Sequence, residues 1–390
     1  MKKKKALSVI AAVAAAVSLT ACQETVKGGT QARTGCAEGC TCTDCICCEN
    51  NSSSDAAYEA PSEETQTETM QTETEQVEIT QEESLTSEES EIEDETDEGK
   101  EAQSESYEEQ TDEIWKLTEG EKAARRQQQI NFNEARELLY TLENSKDKTE
   151  RIVQMDKQIL ANNSYDFSGK NVVFIGDSIT EGITSAIDQN GNFVSYVTYA
   201  NSYLHFQNVL NHGKGGRMFS TYGGDELSLA ENFGNVTNID SDIIVVFAGI
   251  NDYLTVVPDK RFGNIYNKES TAGFCGAVRY FMKELKTYYA DNDIFFVTMY
   301  NVSKTAECQF SDYDGQPDLG DYMDAERKLA EEYGFHVIEL YDTGFMDCSS
   351  EEASDYYLRD GLHPKDNGNI ALGAHIAAEL SMYFSQNEYE

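Results

Sequence analysis

The sequence predicts an α/β protein of three-layer α/β/α build, and three observations carry that prediction. Over residues 165–390, short apolar runs alternate with helical stretches. The run Ile243-Ile244-Val245-Val246-Phe247 is apolar throughout instead of alternating, which suits a strand buried on both faces of a parallel sheet. Short polar segments follow directly after several of these runs, where open α/β sheets place their ligands.

Each element follows in order. Strands are expected at 171–175, 206–210, 242–247, 293–299 and 336–340, joined by right-handed crossovers. Helices are expected near 193–204, 225–233, 271–290, 321–333 and 366–384. Ahead of this domain, 116–162 is helical in composition. Ile130, Ala135, Leu138, Leu139 and Leu142 recur at helical spacing, and Ile152, Val153, Met155, Ile159 and Leu160 resume it after a break at Asn144-Ser145-Lys146. This reads as one interrupted helix or two helices, forming an arm that packs on the following domain. The heptads are too short for a coiled-coil dimer.

The first 115 residues read differently. Residues 51–115 hold 24 acidic residues against one basic residue, Lys100. Such a segment buries too little apolar surface to offset chain entropy, so a disordered, self-repelling linker is expected. Residues 22–50 form a cysteine-rich tether, with Cys36, Cys40, Cys42, Cys45, Cys47 and Cys48 close together. Local disulfides or adventitious thiols explain the cluster better than a metal, since no histidine accompanies it. Residues 1–21 have a lysine-rich start and a short apolar stretch, the pattern of an export signal. Leu19-Thr20-Ala21-Cys22 resembles a bacterial lipobox, which implies lipidation at Cys22 and an anchor on the outer face of the cell membrane.

Charge excludes one class of partner. The 390 residues carry 30 Lys and Arg against 71 Asp and Glu, a formal net charge of −41. Nucleic acid requires a basic neutralising surface, which this composition does not supply.

Four segments at strand ends carry candidate chemistry. Gly176-Asp177-Ser178-Ile179-Thr180 exposes a hydroxyl at a strand-to-helix turn. Asn211-His212-Gly213-Lys214-Gly215-Gly216 is glycine-rich and lets a backbone amide approach a ligand. Gly249-Ile250-Asn251-Asp252 offers a side-chain amide. Asp360-Gly361-Leu362-His363-Pro364 pairs an imidazole with a carboxylate three residues away. Taken singly, each reads as a cap, a turn or a lone structural histidine.

Taken together and in this order, the segments resemble those of the SGNH/GDSL hydrolase family over residues 170–385. The resemblance implies a five-stranded parallel sheet of flavodoxin-like order and a serine esterase or lipase that needs no cofactor and no metal. The nucleophile falls on Ser178, and the catalytic Asp and His fall on Asp360 and His363. The oxyanion donors fall on the Ser178 amide, Gly216 (with Gly215 one residue away) and Asn251. Among family substrates, an acetylated glycan is expected, because 14 basic against 35 acidic residues leave −21 over 166–390 and disfavour anionic lipid or pectate. A lipase or lysophospholipase is the alternative enzyme, and a non-catalytic glycan-binding module is the alternative of another class. His205, His212, His336 and His375 read as structural or exposed, and Asp177 and Asp252 as capping residues. Cys275, Cys308 and Cys348 allow at most one disulfide.

Overall fold

The computed structural model describes residues 114–237, 240–255, 262–266, 270–307 and 316–387. The signal segment, Cys22, the cysteine-rich tether, Cys308 and all but the last two residues of the acidic linker lie outside the described residues.

In chain order the elements are α1 (Glu119–Tyr140), α2 (Lys146–Ala161), β1 (Asn171–Gly176), α3 (Ser178–Glu181), α4 (Tyr196–Leu204), β2 (Asn208–Gly213), α5 (Gly224–Leu227) and α6 (Phe233–Thr237). They continue as β3 (Ile243–Phe247), α7 (Ile250–Thr255), α8 (Phe274–Tyr288), β4 (Asp293–Val297), α9 (Leu319–Tyr333), β5 (His336–Ile338), α10 (Glu351–Tyr357) and α11 (Asp366–Asn387). All five strands are parallel, in the order β2-β1-β3-β4-β5. The strand order reverses at β1, so the crevice between the carboxyl ends of β1 and β3 is the expected place for a ligand. Every residue of β3 is buried, as are all but the first of β1 and of β4. This is the burial expected of a sheet covered on both faces.

Two elements differ from expectation. The second strand covers Asn208–Gly213 rather than 206–210. Phe206 sits before it as a core plug, edge-on to Phe167 at 5.3 Å, with its amide donating to Asn201 Oδ1 at 3.1 Å. The strand itself is a polar, largely exposed edge, so its apolar residues do not mark its limits. Asn211, His212 and Gly213 therefore belong to β2 and not to a loop. The helix expected at 225–233 is two short pieces, α5 and α6. Between them the Leu229 and Ala230 amides donate to the Met218 and Phe219 carbonyls, an extended pairing that replaces helical hydrogen bonds. The helices α3, α7 and α10 were too short to show a period in the sequence.

The N-terminal helices pack into this domain. Thr118 and Glu121 form a reciprocal cap at the start of α1. The Asn144-Ser145-Lys146 break is the α1–α2 turn, where the Ser145 hydroxyl accepts from the Lys148 amide at 3.1 Å. Ile152 and Val153 of α2 lie in the same apolar core as the central strands. A buried polar cluster joins α1 and α2 to α11. Arg136 pairs with Asp156 at 2.6 Å and also with Glu379, and Asp156 meets His375 at 2.9 Å. Gln129 donates to Ser381 Oγ at 2.8 Å.

Cys275 and Cys348 are buried free thiols. Burial pushes the Cys275 thiol up to about 12 and the Cys348 thiol well above its usual range. No helix among the described residues is long and apolar enough to cross a membrane.

Candidate active site

The four segments meet at the carboxyl end of the sheet. Ser178 opens α3 directly after β1. Asp177 caps that helix by accepting the Ile179 amide at 2.9 Å. Ser178 is 6% exposed, and its Oγ stands 2.9 Å from His363 Nε2. On the other side of the ring, His363 Nδ1 lies 2.7 Å from Asp360 Oδ2. With Nδ1–H donating to the carboxylate, Nε2 is left to accept the serine hydroxyl.

The loop that bears His363 is held from several directions. Asp360 Oδ1 accepts the Leu362 amide at 3.1 Å and the His363 amide at 2.8 Å. The Ser303 amide donates to the Gly361 carbonyl at 2.9 Å, and the Tyr300 hydroxyl donates to the Leu362 carbonyl at 2.5 Å. Gly361 has φ +84°, and a Cβ there would collide with the Ser303 hydroxyl, so the loop requires glycine. Burial opposes the Asp360 charge. The amides and imidazole of its own loop nevertheless hold the carboxyl below its ordinary range.

Gly216 follows β2 in a left-handed turn, φ +77°. The neighbouring Gly215 amide is already committed, donating to Glu181 Oε2 at 2.6 Å. Among the described residues no acceptor takes the amide of Ser178 or of Gly216. Asn251, on α7 after β3, donates one hydrogen of its side-chain amide to the Arg217 carbonyl at 2.9 Å. Its second amide hydrogen is left over. The Gly216–Arg217 turn and the Asn251 side chain are thus tied together. Ser178, Asp360 and His363 are joined by hydrogen bonds, and the glycine turn is joined to α3 through Glu181 and to α7 through Asn251.

Three residues support the site: two lie just outside the marked segments, and Asp252 lies inside one. Glu181, one turn after Ser178, fixes the glycine turn through the Gly215 amide. Arg217 is buried and donates to the His212 carbonyl and, at 3.4 Å, to the Gly176 carbonyl, which ties the ends of β1 and β2 together. Asp252 accepts the Phe219 and Ser220 amides at 2.8 and 2.9 Å. Burial raises two carboxyls beneath the site. Asp177 is pushed up to about 7, although the Ile179 amide and His363 work the other way, and Asp252 is pushed up to about 6. His212 is half-buried, and burial with the nearby Arg217 charge lowers its proton affinity. No group of three or more His, Cys, Asp or Glu among the described residues is arranged to hold a metal ion.

A strand-end hydroxyl is hydrogen-bonded to an imidazole, which is in turn bonded to a carboxylate, an arrangement in which the ring can take the hydroxyl proton. Residues 174–370, just over half of the chain, match the GDSL-like lipase/acylhydrolase family, and the chain belongs to that family of hydrolases acting on esters. Similar solved structures include a protein from Lactobacillus plantarum, with 22% identity, 56% of this chain and 98% of that chain covered and a TM-score of 0.47. A lipase/acylhydrolase from Enterococcus faecalis is 18% identical over 54% of this chain and 95% of that one, with a TM-score of 0.38. The acetyl xylan esterase AlAXEase is 20% identical over 54% and 99%, with a TM-score of 0.37. No curated protein matches.

Proposed function

We propose that the protein is a serine esterase, exported and held on the outer face of the cell membrane by a lipid on Cys22, that removes acyl groups, chiefly acetyl, from a glycan. The observation that carries the enzymatic part is the continuous chain Ser178 Oγ, His363, Asp360, with 2.9 and 2.7 Å separations.

In this reading His363 Nε2 takes the Ser178 proton as Oγ attacks the ester carbonyl. Asp360 keeps Nδ1 protonated and stabilises the imidazolium as it forms. The free amides of Ser178 and Gly216 and the spare Asn251 hydrogen receive the oxyanion, each donor contributing about 3 kcal/mol. His363 then gives its proton to the leaving sugar hydroxyl. Water, deprotonated by the same nitrogen, releases the acyl group as a carboxylic acid and restores Ser178. The acidic surface supports a neutral glycan over an anionic substrate.

The test is turnover of p-nitrophenyl acetate by the full mature chain and by Ser178→Ala. Loss of turnover in the variant is expected. Equal rates would overturn the reading and leave a glycan-binding module. A preference for long acyl esters would replace the glycan with a lipid substrate. Radioactive palmitate should label the wild type and not Cys22→Ser; absence of label in both removes the anchor.

A further inference from the structure

Beside the Ser178 corner, a cleft of about 460 Å³ runs along the free edge of β2. Its walls are β2, α4 and a hairpin at 186–194 that leaves α3. The hairpin is well ordered by its own bonds. Ile187 and Phe193 pair across it, the Val194 amide donates to the Ala186 carbonyl at 2.8 Å, and Asp188 accepts the Asn190 and Asn192 amides at 2.8 and 2.9 Å. The hairpin is also seated against the end of α3, the helix that Ser178 opens. Gly182 ends α3 with φ +90°, and a Cβ there would stand 3.0 Å from Phe193 Cβ and 2.8 Å from Ser195 Cβ. Phe193 is therefore packed against Gly182, the residue that ends the helix Ser178 opens. At this end the cleft reaches Glu181, the residue that holds the Gly215 amide.

The lining selects a ligand chemistry. Glu181 and Asp188 are among its lining residues, and no lysine or arginine is, so anionic ligands are repelled. Thr198 offers a hydroxyl. Asn201 uses its Oδ1 on the Phe206 amide and keeps its NH₂ for a ligand. An acyl chain lying here would strand these polar groups without partners, at a cost of about 1–3 kcal/mol each. A sugar ring instead satisfies them with hydroxyls and sets its apolar face on Phe193, a residue 38% exposed.

We propose that this cleft is a subsite for a neutral oligosaccharide chain, held so that an acyl group on a neighbouring sugar reaches Ser178. The proposal deepens the esterase reading and rests on it only for what the bound chain presents to the serine. The test measures binding apart from turnover. Full-length Ser178→Ala is titrated calorimetrically with the tetramers of xylose, glucose, mannose and N-acetylglucosamine, and with tetragalacturonate. At least one neutral tetramer should bind and tetragalacturonate should not. Adding Phe193→Ala should weaken binding about tenfold, and Thr198→Val about threefold. In the Ser178 background both variants should keep wild-type turnover of p-nitrophenyl acetate. Failure of all neutral tetramers to bind, or binding undiminished in both variants, overturns the subsite. Binding without any esterase turnover overturns the enzymatic reading and leaves the subsite standing.

Discussion

The described residues hold two histidine–aspartate pairs, and they differ in what faces the second ring nitrogen. His363 meets Asp360 at 2.7 Å, and its other ring nitrogen faces the Ser178 hydroxyl at 2.9 Å. His375 meets Asp156 at 2.9 Å, but that carboxylate is shared with Arg136 at 2.6 Å and the ring is stacked on Phe345 at 4.1 Å. The first pair has side chains 18% and 47% exposed, at the carboxyl end of the sheet. The second has 1% and 0%, sealed between α1, α2 and α11. Burial opposes the Asp156 charge, yet His375 and Arg136 hold its carboxyl below the ordinary range. An imidazole beside a carboxylate is thus a structural rivet when a guanidinium and an aromatic ring close around it. It is a base when a hydroxyl occupies its second nitrogen.

Exchanging the two histidines for alanine separates these roles most widely. His363→Ala should lower kcat for p-nitrophenyl acetate by roughly 10³–10⁴-fold with little change in thermal unfolding. His375→Ala should leave kcat within about threefold and lower the unfolding midpoint. If both variants lose activity alike, the contrast is wrong.

The next effect belongs to the sealed pair. Asp156→Ala removes the fully buried carboxylate beside the Arg136 guanidinium and leaves the partly exposed Glu379 to balance its charge, and stability should fall by about 3–5 kcal/mol in denaturant titrations. The wild-type contribution of Asp156, whose carboxyl is lowered in the folded state, is present above the unfolded carboxylate range and lost as pH falls through the folded value. Asp156→Ala should therefore flatten the acid limb of the stability profile.

At the open pair, Asn251→Ala should reduce kcat by about 10²–10³-fold, with the KM for p-nitrophenyl acetate nearly constant. A change in KM alone would place Asn251 in substrate binding instead.

The smallest effect sharpens what lies under the serine. Asp177 is raised to about 7 in the folded protein, so its protonated form is favoured there. Stability from this group is present below the unfolded value near pH 4 and declines as pH rises towards 7. Asp177→Asn keeps an acceptor for the Ile179 amide without the charge. It should match the wild type near pH 4 and become progressively more stable than it as pH rises to 8, read from unfolding at both values.

The fold is legible where burial repeats along the chain. The run 243–247 announces a central strand, and it is one. Edge strand β2 is misplaced because Phe206, its most apolar flanking residue, plugs the core outside the strand. The convergence of Ser178, Asp360 and His363 is legible because each follows a strand or precedes α11 within a short, chemically distinctive segment. Asp252 is legible as a capping residue, but Glu181 is not legible as a support, nor are the partners of either. Their partners are the backbone amides of Gly215, Phe219 and Ser220, and no side-chain pattern marks an amide that will need an acceptor. His375 reads as structural or exposed and is buried, but its partner is not legible, because Asp156 lies 219 residues earlier.

The central claim is that Ser178 is made nucleophilic by His363. Reaction of the full chain with an organophosphate ester, followed by peptide mass spectrometry, measures this directly. The expected result is a single adduct on Ser178, absent in Ser178→Ala, strongly slowed in His363→Ala and unaffected by His375→Ala. An adduct on another residue, or equal labelling of Ser178 with and without His363, would contradict it.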